Sequence, residues 1–180
     1  VFMDSNYCIR LATCQDLPAL PDIERRAAVL FKEFGFGDTF ASLATPDETF
    51  LRGQTTRRLW VAQLQDGEVV GFALVSEVGG NAHLDELDVL PEHGRRGIGS
   101  ALVETVCRWA QDRGYTSITL TTMSHVPWNA PFYEQRGFRI LASDELSRAL
   151  KDLLQLEIQR GLPGKNRVAM KRDLAPGNAA

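Results

Sequence analysis

The chain has 180 residues, 44% of them hydrophobic, so length and composition predict one domain with a substantial core. Its 20 Lys and Arg residues against 23 Asp and Glu residues give a net charge of -3, which disfavours a nucleic acid or an acidic membrane as a partner. Three cysteines without a CxxC pair, and no secretory leader ahead of Met3, the expected native start, predict a cytoplasmic protein; no apolar run approaches the roughly 18 residues of a membrane span.

The first half of the sequence reads as a strand, two helices and a hairpin. Apolar and polar residues alternate at the start, and the apolar residues then follow a helical spacing that stops at Gly35. Further on, Asp66-Gly67 separates two strand-like runs, and Asp-Gly is a favoured hairpin turn. The predicted elements are a strand at 6–13, a helix at 16–35, a weaker helix at 46–57 and a hairpin at 59–78.

The second half alternates strands and helices. A right-handed crossover through its first helix predicts that the strands on either side of that helix are parallel neighbours. A later helix carries a stripe of leucines at 146, 150, 153 and 154. The predicted elements are a strand at 82–90, a helix at 97–113, a strand at 115–123, a short helix at 129–137, a short strand at 138–141, the leucine-striped helix at 144–160 and a last strand at 166–174.

These elements together predict a single α/β domain over residues 1–174. We expect a mixed central sheet with helices on both faces, followed by a disordered tail at residues 175–180. No internal repeat and no linker rich in Pro, Gly or Ser divides the sequence.

The stretch "VLPEHGRRGIGSAL", residues 89–102, is typical of a phosphate-binding loop that leads into a helix. Glycines let the backbone approach a ligand, and the helix N-terminus favours negative charge. A nucleoside triphosphate loop is excluded because no Lys follows the glycines, and a dinucleotide-binding loop is excluded because Leu102 fills the place of its third glycine. The phosphate therefore belongs to another kind of ligand.

Two segments together resemble the GCN5-related N-acetyltransferase (GNAT) superfamily. They are "RRGIGSAL" after a strand ending in "ELDVLP", and "NAPFYEQRGFRIL" after the next strand. The resemblance spans residues 6–141 and returns at the last strand. Two positions depart from the family pattern: Gly94 stands where Gln or Arg is usual, so Arg95 or Arg96 must compensate, and Val126 stands where Asn is usual, with Asn129 as its substitute.

The resemblance implies acetyl-CoA as the co-substrate. Backbone N–H groups of the glycine loop would hold the pyrophosphate, β-strand residues would pair with the pantetheine amides, and the N–H around Val89 would stabilise the oxyanion that forms at the thioester. Asn129 would hold the pantetheine arm. The residues implied to bind acetyl-CoA are Leu87, Asp88, Val89, Arg95, Arg96, Gly97, Ile98, Gly99, Ser100 and Asn129.

Tyr133 matches the family's general acid, which protonates the departing thiolate. A plain core aromatic is the alternative interpretation of Tyr133. Glu86 is the expected general base for the acceptor amine, with His83 or a water chain as alternatives, and His125 and Trp128 are candidates for lining the acceptor site. Nucleophilic cysteine chemistry and a metal site are not expected, because the three histidines and three cysteines form no recognisable pattern.

The implied function is an N-acetyltransferase that moves acetyl from acetyl-CoA directly to a primary amine in a ternary complex. The alternative is a non-catalytic acyl-CoA-binding or sensor domain, which needs the loop but neither acid nor base. The amine, in a small molecule or a peptide, stays open, as does the length of the acyl group. The leucine-striped helix at 144–160 is expected either to cover the acceptor cleft or to form a homodimer contact.

Overall fold

The structure is a computed structural model that describes residues 2–4, 6–36, 39–40 and 43–175. The described residues form eight strands and five α-helices. The strands are β1 (Phe2–Asp4), β2 (Tyr7–Leu11), β3 (Leu59–Leu64), β4 (Val69–Val78), β5 (Asn81–Val89), β6 (Ser117–Met123), β7 (Arg139–Ile140) and β8 (Arg167–Asp173). The α-helices are α1 (Leu20–Ala27), α2 (Asp47–Thr55), α3 (Ile98–Asp112), α4 (Ala130–Glu134) and α5 (Arg148–Gln159).

The strands form one mixed sheet, which confirms the predicted fold class. They hydrogen-bond in the order β1-β2-β3-β4-β5-β6-β8-β7. β5 and β6 are parallel, with His83 opposite Thr119, so the prediction that the strands on either side of α3 are parallel neighbours is confirmed. The pairs β1–β2, β2–β3, β3–β4, β6–β8 and β7–β8 are antiparallel.

The chain divides into two compact units, each of which is described by itself. The first unit contains Val1–Ser76 and Asp85–Val106, and the second contains Glu77–Leu84 and Cys107–Ala180. β4 and β5 each contribute residues to both units. The predicted single domain over residues 1–174 stays a prediction.

In the first unit, the helix predicted at 16–35 is three consecutive pieces. A 3₁₀ turn at Leu17–Ala19 precedes α1, and a 3₁₀ segment at Ala28–Phe34 follows it and ends at the left-handed Gly35. Asp16 lies at the N-cap position of the first 3₁₀ turn but does not cap it with its side chain. Its carboxylate instead accepts hydrogen bonds from the Thr13 N–H at 2.7 Å and from Arg10 at 2.7 Å. Those bonds hold the pKa of Asp16 at about 2, chiefly through Arg10.

The hairpin of β3 and β4 is confirmed, and β4 also approaches β5 closely. A Cβ on Gly71 in β4 would lie 2.7 Å from the Asp88 carbonyl oxygen and 3.1 Å from Val89 Cγ2. Beyond this contact, the Leu90 N–H donates to the Val70 oxygen at 2.9 Å. Only glycine therefore fits at position 71 with the strands at this separation.

In the second unit, the leucine-striped helix begins later than predicted. Ser147 accepts the Leu150 N–H at 3.2 Å as the N-cap, so α5 starts at Arg148 rather than Asp144. The preceding residues form a turn in which Glu145 binds the Ala142 N–H at 3.0 Å. The stripe is confirmed in part, because the residues that pack in one apolar cluster are Val78, Leu141, Leu146, Leu150, Leu154 and Ala169.

A half-buried ion pair fixes the other end of α5. Glu157 binds Arg167 of β8 at 2.9 Å and also accepts the Thr121 hydroxyl of β6 at 2.6 Å. The side chains of Arg167 and Glu157 are 10% and 16% exposed. Within the second unit, α5 is thus attached to the sheet by leucines at one end and by charge at the other.

Some predictions concern segments beyond the described part of the chain. Of the tail predicted at 175–180, residues 176–180 lie outside the described residues.

Among the helices that the structure does describe, none combines the length and the apolar character that a bilayer crossing requires. The described residues contain no group of three or more His, Cys, Asp or Glu side chains placed to hold a metal ion.

Candidate active site

The glycine-rich loop of the first unit joins β5 to α3. A 3₁₀ turn at Pro91–His93 leads to two left-handed residues, Arg95 with φ 58° and Gly97 with φ 82°. The first hydrogen bond of α3 runs from the Ala101 N–H to the Gly97 oxygen at 3.0 Å. The N–H groups of a first helical turn have no acceptor within the helix, so this turn offers donors and the positive end of a dipole to an anion.

Gly94, which departs from the family pattern, lies close to the turn that precedes it. A Cβ on Gly94 would lie 3.0 Å from the Pro91 carbonyl oxygen. The two arginines expected to compensate are both exposed, and Arg96 Nη1 lies 2.8 Å from His93 Nδ1. Arg95 adopts a left-handed conformation that costs a non-glycine residue about 1 kcal/mol or more, and such strain concentrates at ligand-binding loops.

The expected base and pantetheine-binding residues lie together on β5. Glu86, Leu87, Asp88 and Val89 are consecutive and all half-buried. Just before them, Asp85 is exposed and accepts the Ser76 hydroxyl at 2.8 Å. Of these five consecutive β5 residues, Asp85 is exposed and the other four are partly exposed.

The side chain of Asp88 is a feature that sequence reasoning missed, since only its backbone had a predicted role. Its Oδ2 atom is buried and has no hydrogen-bond partner among the described residues. Burial, with a smaller contribution from the charge of Glu24, raises the pKa of Asp88 to about 8. Glu24 lies on the buried face of α1 with Leu20 and Ile23, and that spacing in the sequence is the signal that marks it as an inward carboxylate.

Tyr133 belongs to the second unit, where it lies in α4. Its half-buried ring makes edge-to-face contacts with Phe132 at 5.0 Å and with Phe138 at 5.8 Å between ring centroids. Its carbonyl oxygen accepts the Arg136 and Phe138 N–H groups. The ring is therefore held by packing, and a role for the hydroxyl stays a prediction.

Asn129, the expected substitute for the family's pantetheine-binding Asn, precedes α4. Its Oδ1 atom accepts the Thr122 hydroxyl at 2.7 Å, and its backbone oxygen accepts the Phe132 N–H at 3.0 Å. Val126, at the usual Asn position, is fully buried. In the same loop, Trp128 is 41% exposed, which keeps it available as a lining residue for an acceptor.

His83 is a poor general base in its observed environment. The residue is 2% exposed, and its Nδ1 atom lies 2.8 Å from the Thr119 hydroxyl. Burial lowers the pKa of His83 to about 4, with Arg167 lowering and Glu157 raising it by smaller amounts. An imidazole with so low a pKa takes up a proton weakly at neutral pH.

The mixed sheet, with a glycine loop between a strand and the helix that leads to its parallel neighbour, matches the fold of solved N-acetyltransferase structures. Residues 22–138 match the model of the acetyltransferase (GNAT) family, and the chain belongs to that family.

Individual relatives differ in how closely they match. The [ribosomal protein bS18]-alanine N-acetyltransferase of Escherichia coli K12 is 28% identical over 123 residues, which are 68% of this chain and 74% of the relative. A structure of the ribosomal-protein-S18-alanine N-acetyltransferase from Escherichia coli has a TM-score of 0.63 at 21% identity, covering 97% of this chain and 98% of that one. The PaiA N-acetyltransferase of Thermoplasma acidophilum, in complex with coenzyme A, has a TM-score of 0.71 at 15% identity, covering 93% and 98%.

Proposed function

We propose that the protein transfers acetyl from acetyl-CoA directly to a primary amine in a ternary complex. The observation that carries the proposal is the loop at the start of α3, where left-handed Arg95 and Gly97 lead into the helix N-terminus, the end of a helix that favours an anion. Because the chain belongs to the acetyltransferase family, we take the pyrophosphate of acetyl-CoA as the anion that binds at this helix N-terminus.

The first unit holds the cofactor in this proposal. Backbone N–H groups of Arg95 to Ser100 bind the pyrophosphate, while Leu87 to Val89 pair with the pantetheine amides as a neighbouring strand. The N–H around Val89 donates to the thioester oxygen as negative charge develops on it. A fixed donor of this kind is usually the largest contribution to catalysis of acyl transfer.

Proton transfer completes the proposed reaction. Glu86 takes a proton from the acceptor's ammonium, the amine nitrogen attacks the carbonyl carbon, and the C–S bond breaks with its electrons on sulfur. Tyr133 gives its phenolic proton to the thiolate, which prevents the reverse attack. The second proton lost by nitrogen returns the tyrosine to its neutral form, and Glu86 releases its proton to water, so the enzyme ends the cycle unchanged.

For the acceptor, we propose a chemical class rather than a particular molecule. One relative is named for acetylating an alanine of a ribosomal protein, and a structural relative from Neisseria gonorrhoeae is an N-acetylglutamate synthase complexed with coenzyme A and N-acetyl-glutamate. These names place both peptide amines and small-molecule amines within the family's range. We take a primary amine as the shared feature.

Gly99→Glu tests the loop. The substitution adds bulk and a negative charge to the first turn of α3, so acetyl-CoA affinity measured by calorimetry should fall by at least about 100-fold, since like charges meet at short range. Gln65→Glu adds the same charge to an exposed turn of the first unit and should leave the affinity within about twofold. Unchanged affinity in a folded Gly99→Glu variant would show that the loop is only a turn.

A panel of primary amines separates the enzyme from the non-catalytic acyl-CoA-binding alternative. With acetyl-CoA bound, an enzyme releases free thiol at a rate that depends on the amine. A sensor domain binds acetyl-CoA with the same sensitivity to Gly99→Glu but releases thiol with none of the amines.

A further inference from the structure

Asn129 lies between β6 and α4, and hydrogen bonds within the second unit fix both its backbone and its side chain. Its N–H donates to the Val126 oxygen at 3.0 Å, and its own backbone oxygen accepts the Phe132 N–H at 3.0 Å. Its side-chain oxygen, Oδ1, accepts the Thr122 hydroxyl at 2.7 Å. The backbone bonds hold the residue in place, and the bond from Thr122 sets the direction of its amide.

The side-chain nitrogen of Asn129 is the polar group that these bonds leave over. An amide carries its oxygen and its nitrogen on different sides of one planar carbon, so with Oδ1 bonded to Thr122 the N–H groups of Nδ2 point elsewhere. Nδ2 has no hydrogen-bond partner among the described residues. In that part of the chain the buried side-chain atoms without a partner belong to Asp88 and Trp109, so solvent reaches Nδ2. Asn129 therefore offers a ligand its donor rather than its oxygen.

Thr122 maintains this orientation from inside the fold. It is 4% exposed on β6, so it acts through Asn129 and does not itself meet a ligand. With the amide turned over, the Thr122 hydroxyl would lose the acceptor of its proton, and a buried donor without an acceptor costs stability. The buried hydroxyl thus favours the orientation in which Nδ2 faces outward.

The pantetheine arm of acetyl-CoA carries amide carbonyl oxygens, which accept hydrogen bonds and do not donate them. We propose that Asn129 binds one of these oxygens through Nδ2, and that Thr122 is the positioning residue that keeps this donor turned toward the ligand. The inference rests on the proposed function for its ligand. A side chain that is already held in its binding orientation loses less conformational entropy when the ligand binds.

The test compares two probes by calorimetry: acetyl-CoA, and adenosine 3′,5′-bisphosphate, the part of coenzyme A that lacks pantetheine. Thr122→Val keeps the shape of the side chain and removes the hydroxyl. It should raise Kd for acetyl-CoA about 3-fold to 10-fold, the loss expected for one hydrogen bond, and leave Kd for the bisphosphate within about twofold. A parental Kd for acetyl-CoA, or an equal loss with both probes, would overturn the proposal.

Two further substitutions on β6 serve as controls. Thr119→Val makes the same change at another buried threonine, whose hydroxyl lies 2.8 Å from His83 Nδ1, and it should leave Kd for acetyl-CoA within about twofold. Thr122→Ser keeps the hydroxyl and should bind acetyl-CoA with an affinity within about twofold of the parent. A loss in Thr122→Ser as large as that in Thr122→Val would contradict a role for the hydroxyl.

Asn129→Asp separates the donor from its attachment to Thr122. The carboxylate keeps an oxygen for the Thr122 hydroxyl but places a negative oxygen where Nδ2 was, so Kd for acetyl-CoA should rise at least about 10-fold. A parental Kd in this variant would refute the assignment of Nδ2 as the donor.

A double variant distinguishes positioning from a separate contribution of Thr122. Because Thr122 acts through Asn129, adding Thr122→Val to Asn129→Ala should weaken acetyl-CoA binding no further than Asn129→Ala does alone. Additive losses would show that Thr122 acts independently and would refute its role as a positioning residue.

The inference and the proposed function fail separately. A protein that binds acetyl-CoA with the expected dependence on Thr122 but acetylates no amine would contradict only the proposed function. A protein that acetylates an amine while Thr122→Val binds acetyl-CoA with the parental Kd would contradict only the inference. A parental protein that does not bind acetyl-CoA would overturn both.

Discussion

The ring of Tyr133 packs edge-to-face against Phe132 and Phe138, and a phenylalanine at this position keeps those ring contacts. If the phenol protonates the thiolate, Tyr133→Phe should lower kcat by about 10²-fold to 10⁴-fold, the range for one general acid. KM for acetyl-CoA should change little, because the proton transfer stabilises only the transition state. Steady-state kinetics with an accepted amine and a melting curve of the same sample measure both effects.

Tyr115→Phe is the matched control for that experiment. Tyr115 also lies in the second unit, and its hydroxyl donates to Glu77 at 2.6 Å at the surface. This substitution removes the same atom without a proposed catalytic role and should leave kcat within about twofold. A parental kcat in Tyr133→Phe would mean that Tyr133 is a core aromatic and that another group protonates the thiolate.

At the scale of elements, the attachment of α5 depends on the half-buried pair of Glu157 and Arg167. Glu157→Gln removes the counter-charge of a guanidinium that is 10% exposed, so the free energy of unfolding should fall by about 2 kcal/mol. Chemical denaturation of the two proteins at pH 7 measures the difference.

Glu145→Gln gives the comparison, since it makes the same change in a solvent-exposed pair. Glu145 binds Arg139 at 2.7 Å, but the two side chains are 39% and 51% exposed. Water and salt screen such a pair, so the loss of stability should be clearly smaller than for Glu157→Gln. Equal losses from the two variants would contradict a special role for the Glu157 pair in anchoring α5.

Local sequence signals predicted the elements whose boundaries are set by nearby residues. Asp66-Gly67 marked the hairpin, and the loop around Gly97 marked the start of α3. The helix predicted at 16–35 was wrong as one continuous α-helix, because 3₁₀ segments at Leu17–Ala19 and Ala28–Phe34 flank α1. At its predicted start, Asp16 is bonded to Thr13 and to Arg10, which lies on β2. Periodicity carries no information about such a partner.

Candidate site residues were likewise predictable where the signal comes from nearby residues in the sequence, and not where it depends on another element. The phosphate loop was predictable because its glycines and helix start are contiguous in the sequence. The inward position of Glu24 was also readable, because it follows the apolar spacing of α1. The electrostatic effect of Glu24 on Asp88 was not, because it depends on where the fold places two residues that are 64 positions apart, and no local pattern encodes that.

At the scale of the whole molecule, two buried groups with opposite pKa shifts shape the dependence of stability on pH. From about pH 4 to 6.5 the folded protein holds a proton on Asp88 that the unfolded chain has lost, and lacks a proton on His83 that the unfolded chain has gained. As pH rises, the Asp88 proton makes the free energy of unfolding fall and the His83 proton makes it rise, so the two effects cancel. Above pH 6.5, of these two effects only that of Asp88 continues, so the free energy of unfolding should fall until about pH 8.

Chemical denaturation at pH 6.5 and pH 8 checks this prediction. One unit of pKa difference corresponds to about 1.4 kcal/mol, so the free energy of unfolding should fall by about 1 to 2 kcal/mol over that interval. Asp88→Asn should largely flatten the decrease, because the amide does not ionise. A stability that rises with pH in this range, or a decrease that persists in full in Asp88→Asn, would contradict the assigned shift.

The close approach of β4 to β5 also has a genetic consequence. Every glycine codon changes by a single base only to another glycine codon, to a stop, or to a residue that carries a Cβ. At codon 71 each such missense allele places that atom 2.7 Å from the Asp88 carbonyl oxygen. A base change at this codon is therefore either synonymous or, as a missense change, displaces a strand. Neutral amino-acid substitutions have to occur at other codons.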